Sequence, residues 1–98
     1  MEQKDYRNRK VVGVAIKAED GTVYSLPKPN RHHNVIELMS NLGIPWPVTK
    51  NTIQGFILDD GDFVDRRIGL YVAGRAMQFL PGKGHLKGIR ELFSEDVW

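Results

Sequence analysis

Polar and apolar residues alternate from Val11 to Lys17, with Val12, Val14 and Ile16 on one face and Gly13, Ala15 and Lys17 on the other. A period of two predicts a strand. In Glu19-Asp20-Gly21-Thr22, Gly21 can take positive φ at little cost, which predicts a turn. Val23 to Leu26 is the return strand, and Pro27 and Pro29 end it because neither can donate to a ladder. The period then changes. Val35, Leu38, Met39 and Leu42 form an i, i+3, i+4, i+7 stripe, widened by Ile36. Asn30 is a candidate N-cap, Gly43 suits the position just past the last turn, and Pro45 prevents continuation. A helix is expected from about Arg31 to Leu42.

The same order recurs. The stretch Ile44 to Ile53 reads as a connection, and Trp46 within it reads either as a cover for the core, the favoured reading, or as an exposed stacking platform. Strands are expected near Gln54–Leu58 and Asp62–Val64, joined by a tight Asp60-Gly61 turn. Asp65 can cap a second helix whose stripe is Ile68, Val72, Ala76 and Phe79, with Tyr71 and Ala73 beside it. Gly69 and Gly74 lie inside it, each costing roughly 1 kcal/mol relative to alanine. Their missing side chains point to close packing against the other helix or another subunit. Pro81-Gly82-Lys83-Gly84 is expected to end the helix, and a short helical turn is expected over Leu86 to Phe93. The terminal Trp98 is expected to dock on its own subunit or a neighbour, since leaving it in water forgoes a large apolar burial. The fold class is therefore α+β: two β-hairpins, each followed by an α-helix (ββα–ββα), with a C-terminal arm over 81–98. Residues 1–9 read as a flexible tail and 10–98 as one domain.

Composition narrows the functional classes. With 98 residues, 41% of them apolar and 27% charged, the chain suits one small folded domain, for which self-association is a natural source of stability. A net charge of +2 is too mild for DNA wrapping or polybasic membrane binding, but it allows a local basic patch. The absence of cysteine removes disulfides and cysteine-based zinc sites and fits a reducing cytoplasm. No run reads as a signal peptide or a membrane span.

Both helices open with cations: Arg31, His32 and His33 in one, Arg66 and Arg67 in the other. Positive side chains there oppose the helix macrodipole, an arrangement that makes sense if an anion sits at that end. The bland alternatives are a solvated first turn with one histidine packed, and Arg66 paired with Asp65 or Asp62. A metal reading of His32 and His33 is disfavoured, because adjacent helical side chains diverge by about 100°. Asp59-Asp60-Gly61-Asp62 is too short for a calcium loop. Lys83, His85, Lys87 and Arg90 form a glycine-rich basic arm that reads as a solvated linker or as a lid over an anion. No nucleophile–base–orienter set is legible, so no enzyme, catalytic residue, metal or cofactor is expected.

Several stretches together resemble a family of small phage-encoded proteins. They are Val11–Lys17, the tract Pro29-Asn30-Arg31-His32-His33-Asn34-Val35-Ile36, the block from Gln54-Gly55-Phe56 through Gly61-Asp62-Phe63-Val64-Asp65-Arg66, and the ending Leu92-Phe93-Ser94-Glu95-Asp96-Val97-Trp98. The second helix departs from that pattern at Arg67-Ile68-Gly69-Leu70-Tyr71. The resemblance implies a viral sponge of the anti-CBASS or anti-Thoeris type, acting in the host bacterial cytoplasm. Such a protein binds a cyclic nucleotide or cyclic ADP-ribose signal without cleaving it. On that implication Arg31, His32, His33, Arg66 and Arg67 hold phosphates, Tyr71, Trp46 or Trp98 stack on bases, and Lys83, Lys87 and Arg90 close the site, within a homo-oligomer (dimer or tetramer) that binds no DNA or membrane. The competing expectations are a protein-binding inhibitor of a host immune enzyme, a nucleic-acid-binding phage accessory protein, and an enzyme that degrades the signal.

Overall fold

The computed structural model describes Tyr6 and residues 8–80 and 91–98. The strands are β1 (Val11–Lys17), β2 (Val23–Pro27), β3 (Ile53–Leu58) and β4 (Phe63–Asp65), and the helices are α1 (His32–Asn41) and α2 (Arg66–Arg75). A single 3-10 turn, Ser94–Asp96, lies near the C-terminus. The ββα–ββα order is the one the patterning predicts. The strands form one antiparallel sheet in the order β2-β1-β3-β4, so the two hairpins meet along β1 and β3.

The hairpin turns share one construction. Gly21 and Gly61 have φ of +91° and +88°, and their N–H groups donate to the carbonyls of Ala18 and Leu58, each at 2.9 Å. Asp20 and Asp60 each accept a backbone N–H two residues on, from Thr22 and Asp62. An aspartate followed by glycine supplies both the acceptor and the left-handed residue.

One face of the sheet carries both helices. Val14 and Ile16 of β1, Phe56 and Leu58 of β3 and Val64 of β4 are buried there with Val35 and Met39 of α1 and Val72 and Ala73 of α2. The strict alternation expected for β1 is broken. The register with β3 shifts between Val11 and Gly13, so Val11 enters the core and Val12, expected beside Val14, does not join that cluster. A β-bulge adds one residue and flips the faces on one side of it. The Gln78 side-chain amide braces the bulge, accepting from the Val11 N–H and donating to the Val11 carbonyl, both at 2.8 Å.

Other expectations are corrected. Asn30 does not cap α1. Arg31 holds the N-cap position, and the Asn34 side chain accepts the Arg31 N–H at 2.8 Å. Asn30 instead donates its amide to the Pro27 carbonyl. The second helix stops at Arg75, well before Pro81, because Met77 takes φ of +55°. The N–H groups of Met77 and Gln78 then donate to the carbonyls of Gly74 and Ala73, which closes the helix end. Gly69 does mark a close approach, but the partner is the sheet: a Cβ there would lie 2.9 Å from the Phe56 ring. Trp46 is 79% exposed, so it is not a core cover, and Val48 is the buried residue of that connection.

Within the stretch expected as a tail, Tyr6 packs against the core and Arg9 forms an ion pair with Asp60 at 3.3 Å. At the other end Leu92 is fully buried. Trp98 docks on its own chain: its indole N–H donates to the Asn30 carbonyl at 2.8 Å, and its ring meets Phe56 edge to face at 6.4 Å. The helical turn expected over Leu86 to Phe93, with the rest of residues 81–90, lies outside the described residues, and Glu91–Phe93 is not helical. Among the described residues no helix is long and apolar enough to cross a membrane.

Candidate functional site

The N-terminal ends of the two helices open on one cleft. Its volume is about 500 Å³, and Arg31, His32, His33, Arg66, Phe93, Ser94 and Glu95 line it. Four of the five cationic or imidazole residues expected at the two helix starts therefore converge. Three walls bring them together: the first turn of α1, the start of α2 and the segment Phe93–Glu95.

Local chemistry fixes each wall. Asp65 accepts the Ile68 N–H at 2.9 Å, so the helix starts where the hairpin ends and Arg66 is its first residue. The Asn34 cap places Arg31 in extended backbone just before α1. The C-terminal segment is held by buried Leu92, whose N–H donates to the Arg66 carbonyl at 3.0 Å, and by the Trp98 indole bonded to Asn30. Trp98 thus ties the C-terminus to the residue preceding Arg31. It builds the cleft without lining it.

The two arginines are aimed by neutral partners. Arg66 donates through Nη2 to Gln54 Oε1 at 2.6 Å, and its guanidinium lies 4.7 Å from the Phe93 ring centroid. Its Nε is buried and has no hydrogen-bond partner among the described residues. Arg31 donates through Nη1 to Ser94 Oγ at 3.4 Å. Neither contact is an ion pair, so both guanidiniums keep their charge. Cation–π and amide contacts orient the forks that suit bidentate oxyanion recognition.

His32 has a different role from that expected for a phosphate ligand. It is buried, its Nε2–H donates to the Gly55 carbonyl at 2.7 Å, and its ring meets Phe56 edge to face at 5.1 Å. A carbonyl only accepts, so this bond places a proton on Nε2. Burial holds the His32 pKa below the ordinary histidine value; the Gly55 bond opposes that shift and the Arg66 charge adds to it. His32 is the packed histidine that anchors α1 to β3. His33, one residue on, is exposed at the cleft mouth.

The remaining expected residues fall elsewhere. Arg67 is exposed and lines an adjoining hollow of about 310 Å³ with Gln54, Asp65 and Glu91, and Arg66 borders both spaces. Tyr71 is half-exposed on α2, with the Arg75 guanidinium 5.9 Å from its ring, and does not line the cleft. Lys83, Lys87 and Arg90 lie outside the described residues. Among the described residues, no group of three His, Asp or Glu side chains is placed to hold a metal ion.

Sequence reasoning did not nominate Gln54, Phe93, Ser94 or Glu95. By its local pattern Gln54 is the start of a strand, yet it sits beside Arg66. Phe93 to Glu95 had a local signal in Ser94-Glu95-Asp96, acidic residues opening a turn, but nothing local says that the turn folds back on two helix starts.

No curated protein and no solved structure matches this chain. Residues 10–98 match the family model described as Phage T4 y16D protein. That span covers every element described above, from the first strand to the docked tryptophan, and the chain belongs to this phage protein family.

Proposed function

We propose that this protein binds and sequesters a phosphorylated nucleotide, of the cyclic kind used as an immune signal, without cleaving it. One observation carries the reading: Arg31, His33 and Arg66 converge on a cleft of about 500 Å³ that also contains a half-exposed Phe93 ring. Cationic forks suit phosphate oxygens, and an aromatic face suits a base. The arginines are oriented by Gln54, Ser94 and Phe93 before any ligand arrives, which lowers the cost of binding. A sponge needs that preorganisation and no proton transfer. Membership of a phage protein family fits a role against bacterial immunity in the host cytoplasm. An open cleft on so small a domain favours completion of the site by a second copy, as dimer or tetramer.

The test is a thermal-shift panel with cyclic di- and trinucleotides, cyclic ADP-ribose isomers and linear mononucleotides, followed by recovery of the ligand and chromatography. The expected result is a large shift with a cyclic ligand that is returned intact. Arg66→Ala should weaken that ligand roughly ten- to a hundred-fold, the scale of a lost charge-assisted contact. A chemically altered ligand would make the protein an enzyme. The absence of any shift across the panel would overturn the reading. It would favour a protein-binding inhibitor, for which the 79% exposed Trp46 is the supporting observation.

A further inference from the structure

Glu95 is out of place in a phosphate site. It is exposed on the cleft wall beside Phe93 and Ser94. Its carboxylate has no hydrogen bond or ion pair among the described residues. A carboxylate near a phosphate is repulsive unless it faces a part of the ligand that donates hydrogen bonds.

We infer that Glu95 reads the base edge, and that the cleft takes a guanine nucleotide in preference to an adenine one. The inference rests on the nucleotide-binding reading above and narrows its ligand class. The bases differ in what they offer a carboxylate, which can only accept. Guanine presents two adjacent donors on its Watson–Crick edge, N1–H and the N2 amino group, which can meet the two oxygens of one carboxylate. Adenine presents the N6 amino group beside N1, a lone-pair acceptor that repels the second oxygen. Cytosine has the same donor-beside-acceptor arrangement, and uracil has a single N3–H between two carbonyls.

The layout fits that division of labour. Phe93 is 44% exposed and already carries the Arg66 guanidinium at 4.7 Å, so the aromatic platform is fixed in place. The phosphate-binding groups, Arg31 and Arg66, reach the cleft from the two helix starts, and Glu95 reaches it from the C-terminal segment. On this inference the phosphates meet the Arg31 and Arg66 guanidiniums and the base edge meets Glu95, all within one cleft. A site that pairs both donors also penalises the wrong base, which leaves the carboxylate desolvated and unpaired.

The experiment titrates the intact protein with 5′-GMP, 5′-IMP and 5′-AMP, and with the cyclic dinucleotides of guanine and adenine, by calorimetry. The wild type should bind each guanine ligand at least tenfold more tightly than its adenine counterpart. Inosine, which keeps N1–H and lacks the amino group, should fall between them. Glu95→Gln should bring the guanine preference close to one while leaving adenine affinity unchanged or improved, since it removes a negative charge beside the phosphate. Glu95 is exposed, so the variant tests recognition rather than folding. Equal wild-type affinity for guanine and adenine overturns the inference and leaves nucleotide binding standing. Equal weakening of all ligands by Glu95→Gln would assign the carboxylate to a ribose hydroxyl, and equal strengthening would make it a resident counterion; either overturns it. Failure of every nucleotide to bind overturns both readings together.

Discussion

The two ends of α1 border different hollows. At its start lies the cleft of Arg31, His33, Arg66, Phe93 and Glu95. At its end, about 15 Å away for ten helical residues, Met39 and Ile44 border a groove of about 630 Å³ with Tyr24, Trp46 and Val48. The first surface is charged, and packed residues support every wall of it: buried His32 bonded to Gly55, buried Leu92 in the core, and partly buried Trp98 on Phe56. The second mixes apolar residues with Glu19, Asp20, Lys50 and Asn51, and it carries an indole that is 79% exposed. Functional polar groups need precise placement, and precision comes from a packed second layer. The cleft has that layer, and Trp46 stands largely outside the packing. This difference supports the proposal that ligand recognition takes place at the helix starts.

The largest effect should come from removing the hub of that supporting layer. Phe56 is fully buried, meets both His32 and Trp98 edge to face, and fills the space left by Gly69. Phe56→Ala should cost about 3–5 kcal/mol, the usual range for a buried phenylalanine. Urea denaturation measures it. The variant should also shift Trp98 fluorescence toward that of a solvated indole. A loss under about 1 kcal/mol would mean that the cleft end tolerates a void and is no better supported than the groove.

A smaller effect concerns pH. His32 holds its pKa below the ordinary value because it is buried and close to Arg66, despite its bond to Gly55. As pH falls through about 6.5, the ordinary histidine value, the unfolded chain takes up a proton that the folded chain resists. The unfolded state then binds more protons, so stability decreases as pH falls until the lower folded pKa is reached. The melting temperature should therefore drop between pH 7.5 and 5.5. His32→Gln, which keeps a donor for Gly55, should flatten that slope. A slope of unchanged size in the variant would locate the pH dependence elsewhere.

How far these features could be read in advance follows their range along the chain. Hairpins, helix starts and the Asp65 cap depend on neighbours within four residues, and the Asp-Gly turns and the stripe through Val35 and Met39 predict them. The closure of α1 was legible because Gly43 takes the positive φ that its end requires. The closure of α2 was not, because a methionine occupies the equivalent left-handed position and nothing in its chemistry advertises that. The bulge at Val12 is a matter of pairing with β3, some forty-five residues away, and leaves the local alternation intact. The cleft was half legible. The cations at Arg31 and Arg66 stand out against the helix dipole, whereas Gln54, Phe93 and Glu95 acquire meaning only once the C-terminus folds back through Leu92 and Trp98.

The smallest effect is the sharpest test of the contrast between the two ends. Trp46→Ala removes the largest side chain of the groove, yet most of that side chain is already in water. Its loss should change stability by no more than about 0.5 kcal/mol, as for a surface position outside the packing. Nucleotide affinity at the cleft should be unaffected, since sites this far apart without shared partners behave independently. The chain has two tryptophans, one at each end, so the separation can be followed optically. In a Trp46→Phe background, a bound nucleotide should perturb Trp98 emission, because that indole holds the residue preceding Arg31. In a Trp98→Phe background, Trp46 emission should stay at its ligand-free value. A nucleotide-dependent change at Trp46 would mean that the two ends of α1 act as one surface, and the aromatic groove would then have to be counted as part of the site.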